Sequence, residues 1–477
     1  MRRRAQILPT VFWLSFFAAA CFAAPTADLR LLDAIEHGNQ DAVKQLLQSH
    51  ADVNAAAADG STALAWAVHR NNMEAADALI RAGADVNAAN QYGATPLSVA
   101  CDDGKTAMVK RLLEAGANPN APLLSGETPL MTSVDMDDAE SVQLLVDHGA
   151  NVNAQESKGG QSALMWAVAE KHPDIVKILV SHGADVHQRS KGGYTPLLFA
   201  AQKGDADSTE ILLAAGADIN EAAQKDRMTP LMVASASGFA RISALLIAKG
   251  ADPNLADNRG YTALHYAAPR PRMLETVKAL LARGANPNAR TTKDVGRGTE
   301  GGVSVKGATP LFLAAAVGNV NAVRTLAAAG ADPRMATDGK TTPLHVAAGV
   351  GNPQARDWTE DEKKNLFETT KLLVELGSDV NAVGEHGWTP LHGAAYKAID
   401  PVIRLLVEKG AKMDVFDEYG QTPLSIASAV ITVGVKDHYY QSARIVRNST
   451  CDLLLQLGAS PLEKSGIQSV GIFNEQQ

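Results

Sequence analysis

Apolar and polar positions along this chain of 477 residues recur in blocks. A block opens with threonine or serine, usually followed by proline and leucine, as in ATPL at Ala94, ETPL at Glu127 and YTPL at Tyr194. Two short apolar patches at helical spacing follow, and the block closes on a glycine before Ala-Asp or Ala-Asn. This chemistry predicts a helix-turn-helix. Threonine caps a helix N-terminus, proline suits the first turn, and glycine supplies the left-handed residue that ends the second helix. The Asp or Asn beyond it favours a turn. Alanine pairs such as Ala200-Ala201, Ala314-Ala315, Ala347-Ala348 and Ala394-Ala395 let one helical layer approach the next. Helices this short are marginal alone, so neighbouring layers must complete each other's apolar face.

The closing glycines stand at 83, 116, 149, 183, 216, 250, 284, 330, 377, 410 and 458, with His50 in the equivalent place of the first block. The intervals are 33 or 34 residues, except for three of 46, 47 and 48. A fixed period of this size marks a repeat array. Twelve repeats result, near 28–54, 59–88, 92–121, 125–154, 159–188, 192–221, 226–255, 259–289, 307–335, 339–382, 386–415 and 419–460. They resemble ankyrin repeats, for which GYTALHYAAPRPRMLETVKALLARGANPNA from Gly260 to Ala289 is a full example. The resemblance spans 28–462 and implies an all-α solenoid of about 12 helix-turn-helix units with hairpin-like fingers. Departures are local: the first repeat lacks the T-P-L entry, DMDDAE from Asp135 replaces a glycine-centred loop, and several repeats lack the histidine of T-P-L-H.

Three inserts, 290–306, 352–366 and 431–449, break the period, and residues 463–477 form a tail. The first insert, DVGRGTEGGVSVKG from Asp294 to Gly307, holds G-x-G-x-x-G at Gly296, Gly298 and Gly301. A dinucleotide-binding turn must leave a strand and open a helix. No strand is predicted before it and the next helix starts at Thr309, so the string reads as a flexible insert. In the second insert Thr359 and Glu362 make a capping box, which starts a helix near Glu360 that extends to about Leu376. The third lies between the helices of repeat twelve and carries Tyr439, Tyr440, Arg444 and Arg447. Inserts in repeat proteins tend to mark the working face.

Composition adds a cellular address. Hydrophobic residues at 46% and charged residues at 20% are globular, and aromatic residues at only 5% suit thin helical layers. The opening MRRRAQILPTVFWLSFFAAACFA has arginines, an apolar run and then small residues, the order of a secretory signal peptide over 1–23 with cleavage after Ala23. A periplasmic or secreted protein of a bacterial host is expected, with no membrane span after cleavage. The alternative is a lipoprotein anchored through Cys21, since AAAC weakly matches that signal. Loss of Arg2, Arg3 and Arg4 leaves 41 of the 44 basic residues against 52 acidic ones, a net charge of about −11. No nucleic-acid footprint is visible. Cys101 and Cys451 lie far apart and indicate no disulfide framework.

No Ser/His/Asp arrangement, cysteine nucleophile setting or paired-carboxylate motif stands out, so no catalytic residue, cofactor or metal ligand is assigned and the chain is read as non-enzymatic. His265, His345 and His392 occupy the T-P-L-H position, where the resemblance implies a ring bonded to backbone between repeats. Asp135, Asp137 and Asp138 lack the glycine and distal glutamate of a calcium loop. With Asp102 and Asp103 they make an acidic patch suited to a basic segment. Trp66 and Trp166 fall two residues after a leucine inside first helices and are expected to pack between layers.

Tyr194, Tyr261 and Trp388 directly precede the threonine, a position that ankyrin-like proteins vary to contact partners, and Tyr92 and Tyr419 lie two residues earlier. Exposed aromatics on a concave face are common interface anchors. The expected partner site lies in repeats nine to twelve, with Trp388 and Tyr396 leading and Lys397, Tyr419, Trp358, Tyr439 and Tyr440 beside them; Tyr261 and Tyr194 are candidates in earlier repeats. The implied function is a scaffold that recognises another protein. The alternatives are a ligand- or nucleotide-responsive sensor or enzyme using the glycine-rich finger, and an exported host-directed effector.

Overall fold

The computed structural model describes residues 28–294, 303–351, 359–428, 430–432, 447–462 and 469–472. They divide into two compact parts, one ending at Asp218 and one beginning at Ile219. The proposed signal peptide, the three glycines of the first insert, Trp358, Tyr439, Tyr440 and Arg444 lie outside the described residues.

The N-terminal part stacks six helix pairs, from Arg30–Glu36 with Gln40–Gln48 to Pro196–Lys203 with Ala206–Ala214. The leucine of each T-P-L, T-A-L or S-A-L entry, Leu64, Leu97, Leu130, Leu164 and Leu197, is buried, as are Leu79, Leu112, Leu145, Leu179 and Leu212 of the second helices. Each repeat thus places one leucine from each helix in a column that its neighbours extend, so no repeat holds a complete core. Three of the threonines act as expected: the side chains of Thr62, Thr95 and Thr128 accept the backbone N–H of Ala65, Ser98 and Met131, whereas Thr195 makes no side-chain cap bond.

A second device joins consecutive repeats and was not anticipated from the sequence. In G-A-[DN]-x-N the last asparagine reaches the following repeat. Asn120 Nδ2 donates to Gly149 O at 3.0 Å, while Asn151 N–H donates to Asn120 Oδ1 at 2.6 Å. Asn54, Asn87 and Asn153 make the same paired bonds. In the C-terminal part Asn254, Asn288 and Asn381 do so too. Arg334 stands in that place in repeat nine and bonds to Asp332 of its own repeat.

The C-terminal part stacks six more pairs, from Pro230–Ser237 with Ala240–Ala248 to Pro423–Ala427 with Asn448–Leu457. The second helix of repeat ten runs from Glu360 to Glu375, and Thr359 and Glu362 form the anticipated capping box. Among the described residues the architecture is all-helical apart from two isolated bridges and one strand pair: Val430–Thr432 pairs antiparallel with Ser469–Ile472, with an irregularity between Ile431 and Thr432. The tail therefore returns to the third insert instead of trailing from the last helix.

Candidate functional site

Repeat eleven shows how local sequence and stacking build the candidate surface. Its first helix, Pro390–Lys397, is capped by Thr389, whose backbone N–H donates to His392 Nδ1 at 3.0 Å. Nδ1 is therefore the acceptor nitrogen. The proton sits on Nε2, which donates to Gln421 O of the next repeat at 3.3 Å. His345 repeats the arrangement with Trp388 O at 3.0 Å, and His265 with Ala308 O at 3.3 Å. Desolvation pushes all three imidazoles down to about 4, so they are neutral struts between repeats.

Trp388 does not face solvent. It is only 9% exposed, and its indole Nε1 donates to Asp417 Oδ2 of the next finger at 3.1 Å. The other carboxylate oxygen of Asp417 accepts the backbone N–H groups of Tyr419 and Gln421, each at 2.8 Å. Desolvation raises the Asp417 pKa. The Trp388 ring stacks 6.1 Å from His392 and meets Tyr396 edge-on at 5.6 Å. With Val350 and Ile426 it forms a buried cluster, against which Val303 and Tyr396 pack part-exposed. Gly393 permits this approach, since a Cβ there would fall 2.5 Å from Val350 Cγ2. The expectation of an exposed Trp388 anchor is therefore corrected: stacking repeat twelve on repeat eleven brings Asp417 onto the indole.

Tyr261 needs the same correction. It is 8% exposed, lies 5.4 Å from the Tyr266 ring, and carries the Arg259 guanidinium at 5.2 Å. Asp257 beneath accepts the Tyr266 hydroxyl at 2.8 Å and pairs with Arg259 at 3.3 Å.

The remaining described candidates keep an accessible edge. Tyr396 and Lys397 are half-buried, with the Lys397 ammonium 5.0 Å from the Tyr396 ring centre. Tyr419 is half-buried beside His386 at 6.0 Å, and Tyr194 is half-buried beside Phe199 at 5.7 Å. Trp66 and Trp166 are likewise half-buried and pack on the N-terminal core, as expected.

The aspartates of the N-terminal part separate into two groups. Asp103 is held by His69 at 3.3 Å and Lys105 at 2.5 Å, Asp137 pairs with His172 at 2.8 Å, and Asp138 caps the helix that starts at Ala139. Asp102 and Asp135 close successive first helices without an ion pair among the described residues. Desolvation, then the charge of neighbouring carboxylates, raises the pKa of both, and Glu127 follows the same pattern. Cys101 is buried and its thiol is pushed up to about 12, mainly by desolvation. It is chemically quiet.

Stacked helix pairs, finger turns and side-chain bonds from one repeat to the backbone of the next define a helical repeat protein. Models of ankyrin repeats in groups of three match residues 31–123, 120–190, 158–223, 197–291 and 362–437, and a single ankyrin repeat matches 306–338. These spans cover more than half of the chain, which belongs to the ankyrin repeat family. Ankyrin repeats are in general protein-protein interaction modules. Among solved structures the chain is similar to the crystal structure of the ankyrin repeat domain of Bcl-3, described as a unique member of the IkappaB protein family. The two are 29% identical, the match covers 43% of this chain and 93% of that one, and the TM-score is 0.40. No curated protein sequence matches. Among the described residues no helix is long and apolar enough to cross a membrane.

Proposed function

We propose that this chain is a non-enzymatic scaffold of the periplasm or cell envelope that holds another protein on the finger and first-helix face of repeats nine to twelve. The carrying observation is the cluster in which Val350, Trp388 and Ile426 are buried while Tyr396 and Lys397 keep accessible edges beside it. A ring and an ammonium held on a rigid base lose little conformational freedom on binding, which favours them as anchors. Trp388 supports this surface from beneath. Export rests on the order of arginines, apolar run and small residues over 1–23.

A photo-crosslinker placed at Lys397 in the native envelope tests the interface. A protein captured through it, and lost on Tyr396→Ala, is expected; capture that is unchanged by Tyr396→Ala removes this surface from the reading. The mass of the mature N-terminus tests the address. Free Ala24 is expected, a lipidated Cys21 makes the protein an envelope lipoprotein, and retention of residues 1–23 removes export.

A further inference from the structure

The end of the first insert is seated on the surface just described. Val303 packs against the cluster of Val350, Trp388 and Ile426, in the company of Tyr396. It lies over Gly351, where a Cβ would fall 2.5 Å from Val303 Cγ2 and 2.7 Å from its Cγ1. The next residue, Ser304, donates its backbone N–H to Glu385 Oε2 at 2.9 Å, across 81 positions of sequence. A Cβ at Gly339 would lie 3.5 Å from the Ser304 Cβ. Behind it, Thr291 Oγ1 donates to Val305 O at 2.5 Å, Asp338 N–H donates to Lys306 O at 2.8 Å, and the Lys306 ammonium pairs with Asp338 at 3.1 Å. The segment thus crosses the fingers of repeats ten and eleven and places one β-branched side chain in a seat at the end of a first helix.

The seat exists because a side chain is missing. Gly351 has φ +75°, a backbone conformation that other residues adopt only with strain, and any Cβ there would occupy the space that Val303 fills. Val303 and Ser304 are both half-buried, so the contact lies at the surface beside Tyr396 and Lys397. What the segment supplies, one small side chain and one main-chain N–H, is what any extended polypeptide can supply.

We propose that the groove over Gly351, between Glu385 and Tyr396, is a docking seat for an extended partner segment bearing a small β-branched residue, and that Val303 and Ser304 are its resident intramolecular occupant. This deepens the interface reading above and rests on it. A tethered occupant acts at an effective concentration on the order of mM, so a free segment with the same contacts does not displace it. A partner that displaces it adds contacts at Lys397. The residue after the seated one must carry an N–H for Glu385, which excludes proline, and the carboxylate disfavours an acidic side chain.

The test uses a labelled peptide GGVSVK, corresponding to residues 301–306, and fluorescence anisotropy against the full chain. Val303→Asp is expected to empty the seat and bind the peptide about tenfold more tightly than the unaltered protein. Tyr396→Ala in that background is expected to abolish binding, and GGVPVK is expected not to bind. Val303→Ala replaces Val303→Asp should the latter lose its cooperative thermal transition. Equal binding by altered and unaltered chains, or binding that survives Tyr396→Ala, overturns the seat. Failure of the interface reading looks different: native capture at Lys397 is then insensitive to Tyr396→Ala while peptide competition with Val303 persists.

Discussion

Trp388 and Tyr396 lie on one repeat and do different jobs. The indole is a buried strut bonded to Asp417, so Trp388→Ala should cost about 3–5 kcal/mol and leave the Asp417 carboxylate short of a partner. Tyr396 keeps an accessible edge, so Tyr396→Ala should cost less than about 2 kcal/mol while removing a contact surface. Denaturation midpoints and partner capture measured on both variants check the division, and a Tyr396→Ala protein as unstable as Trp388→Ala would contradict it. Asn120→Ala loses both bonds to repeat four and should destabilise by about 1–3 kcal/mol, with faster hydrogen exchange at Asn151. The histidine struts were expected from the family resemblance at the T-P-L-H position, since their bonds to the next repeat span 29 or 43 positions. Trp388 was misread because its partner stands 29 residues later and arrives only by stacking.

At the scale of elements, helix boundaries followed local chemistry closely. Thr359→Ala removes one half of the capping box and should cost about 1 kcal/mol, with exchange quickening at residues 360–363 but not in the buried stretch around Leu373. Uniform quickening along the helix would show that the cap is dispensable. Gly393→Ala should cost about 1–3 kcal/mol, because its Cβ would fall 2.7 Å from the backbone nitrogen of Val350 and the two first helices would have to part. The strand pair of Val430–Thr432 with Ser469–Ile472 was not legible. Segments of three and four residues carry too little alternation to announce a strand, and their pairing joins the third insert to the tail.

At the scale of the whole molecule, two sets of buried groups should answer mild acid with opposite signs. All three buried T-P-L-H histidines belong to the C-terminal part, and each is held near 4, below its ordinary value of 6.5. Such a ring takes up its proton more readily when unfolded. Its contribution is therefore full above about pH 6.5 and falls as pH drops towards 4, by up to about 1.4 kcal/mol per pH unit for each ring. In the N-terminal part Asp102, Glu127 and Asp135 are raised, so protonation relieves their desolvation and mutual repulsion, and their contribution to stability rises as pH falls through their raised values, whereas the lowered Asp103 and Glu156 lose theirs only as pH falls below the ordinary carboxylate range. Hydrogen exchange at pH 7 and pH 4.5 should show the first helices of repeats eight, ten and eleven losing protection while those of repeats three and four hold; the reverse order would refute the assignment. The sequence by itself determined the period, the helix pairs and their caps, because each depends on residues within one turn or on a copy of the same residue one period away. Only the tertiary structure decided which aromatic faces solvent, where the tail pairs and what Val303 touches. Those contacts join residues as far as 81 positions apart, and they depend on the direction of side chains after stacking, which spacing along the chain does not encode.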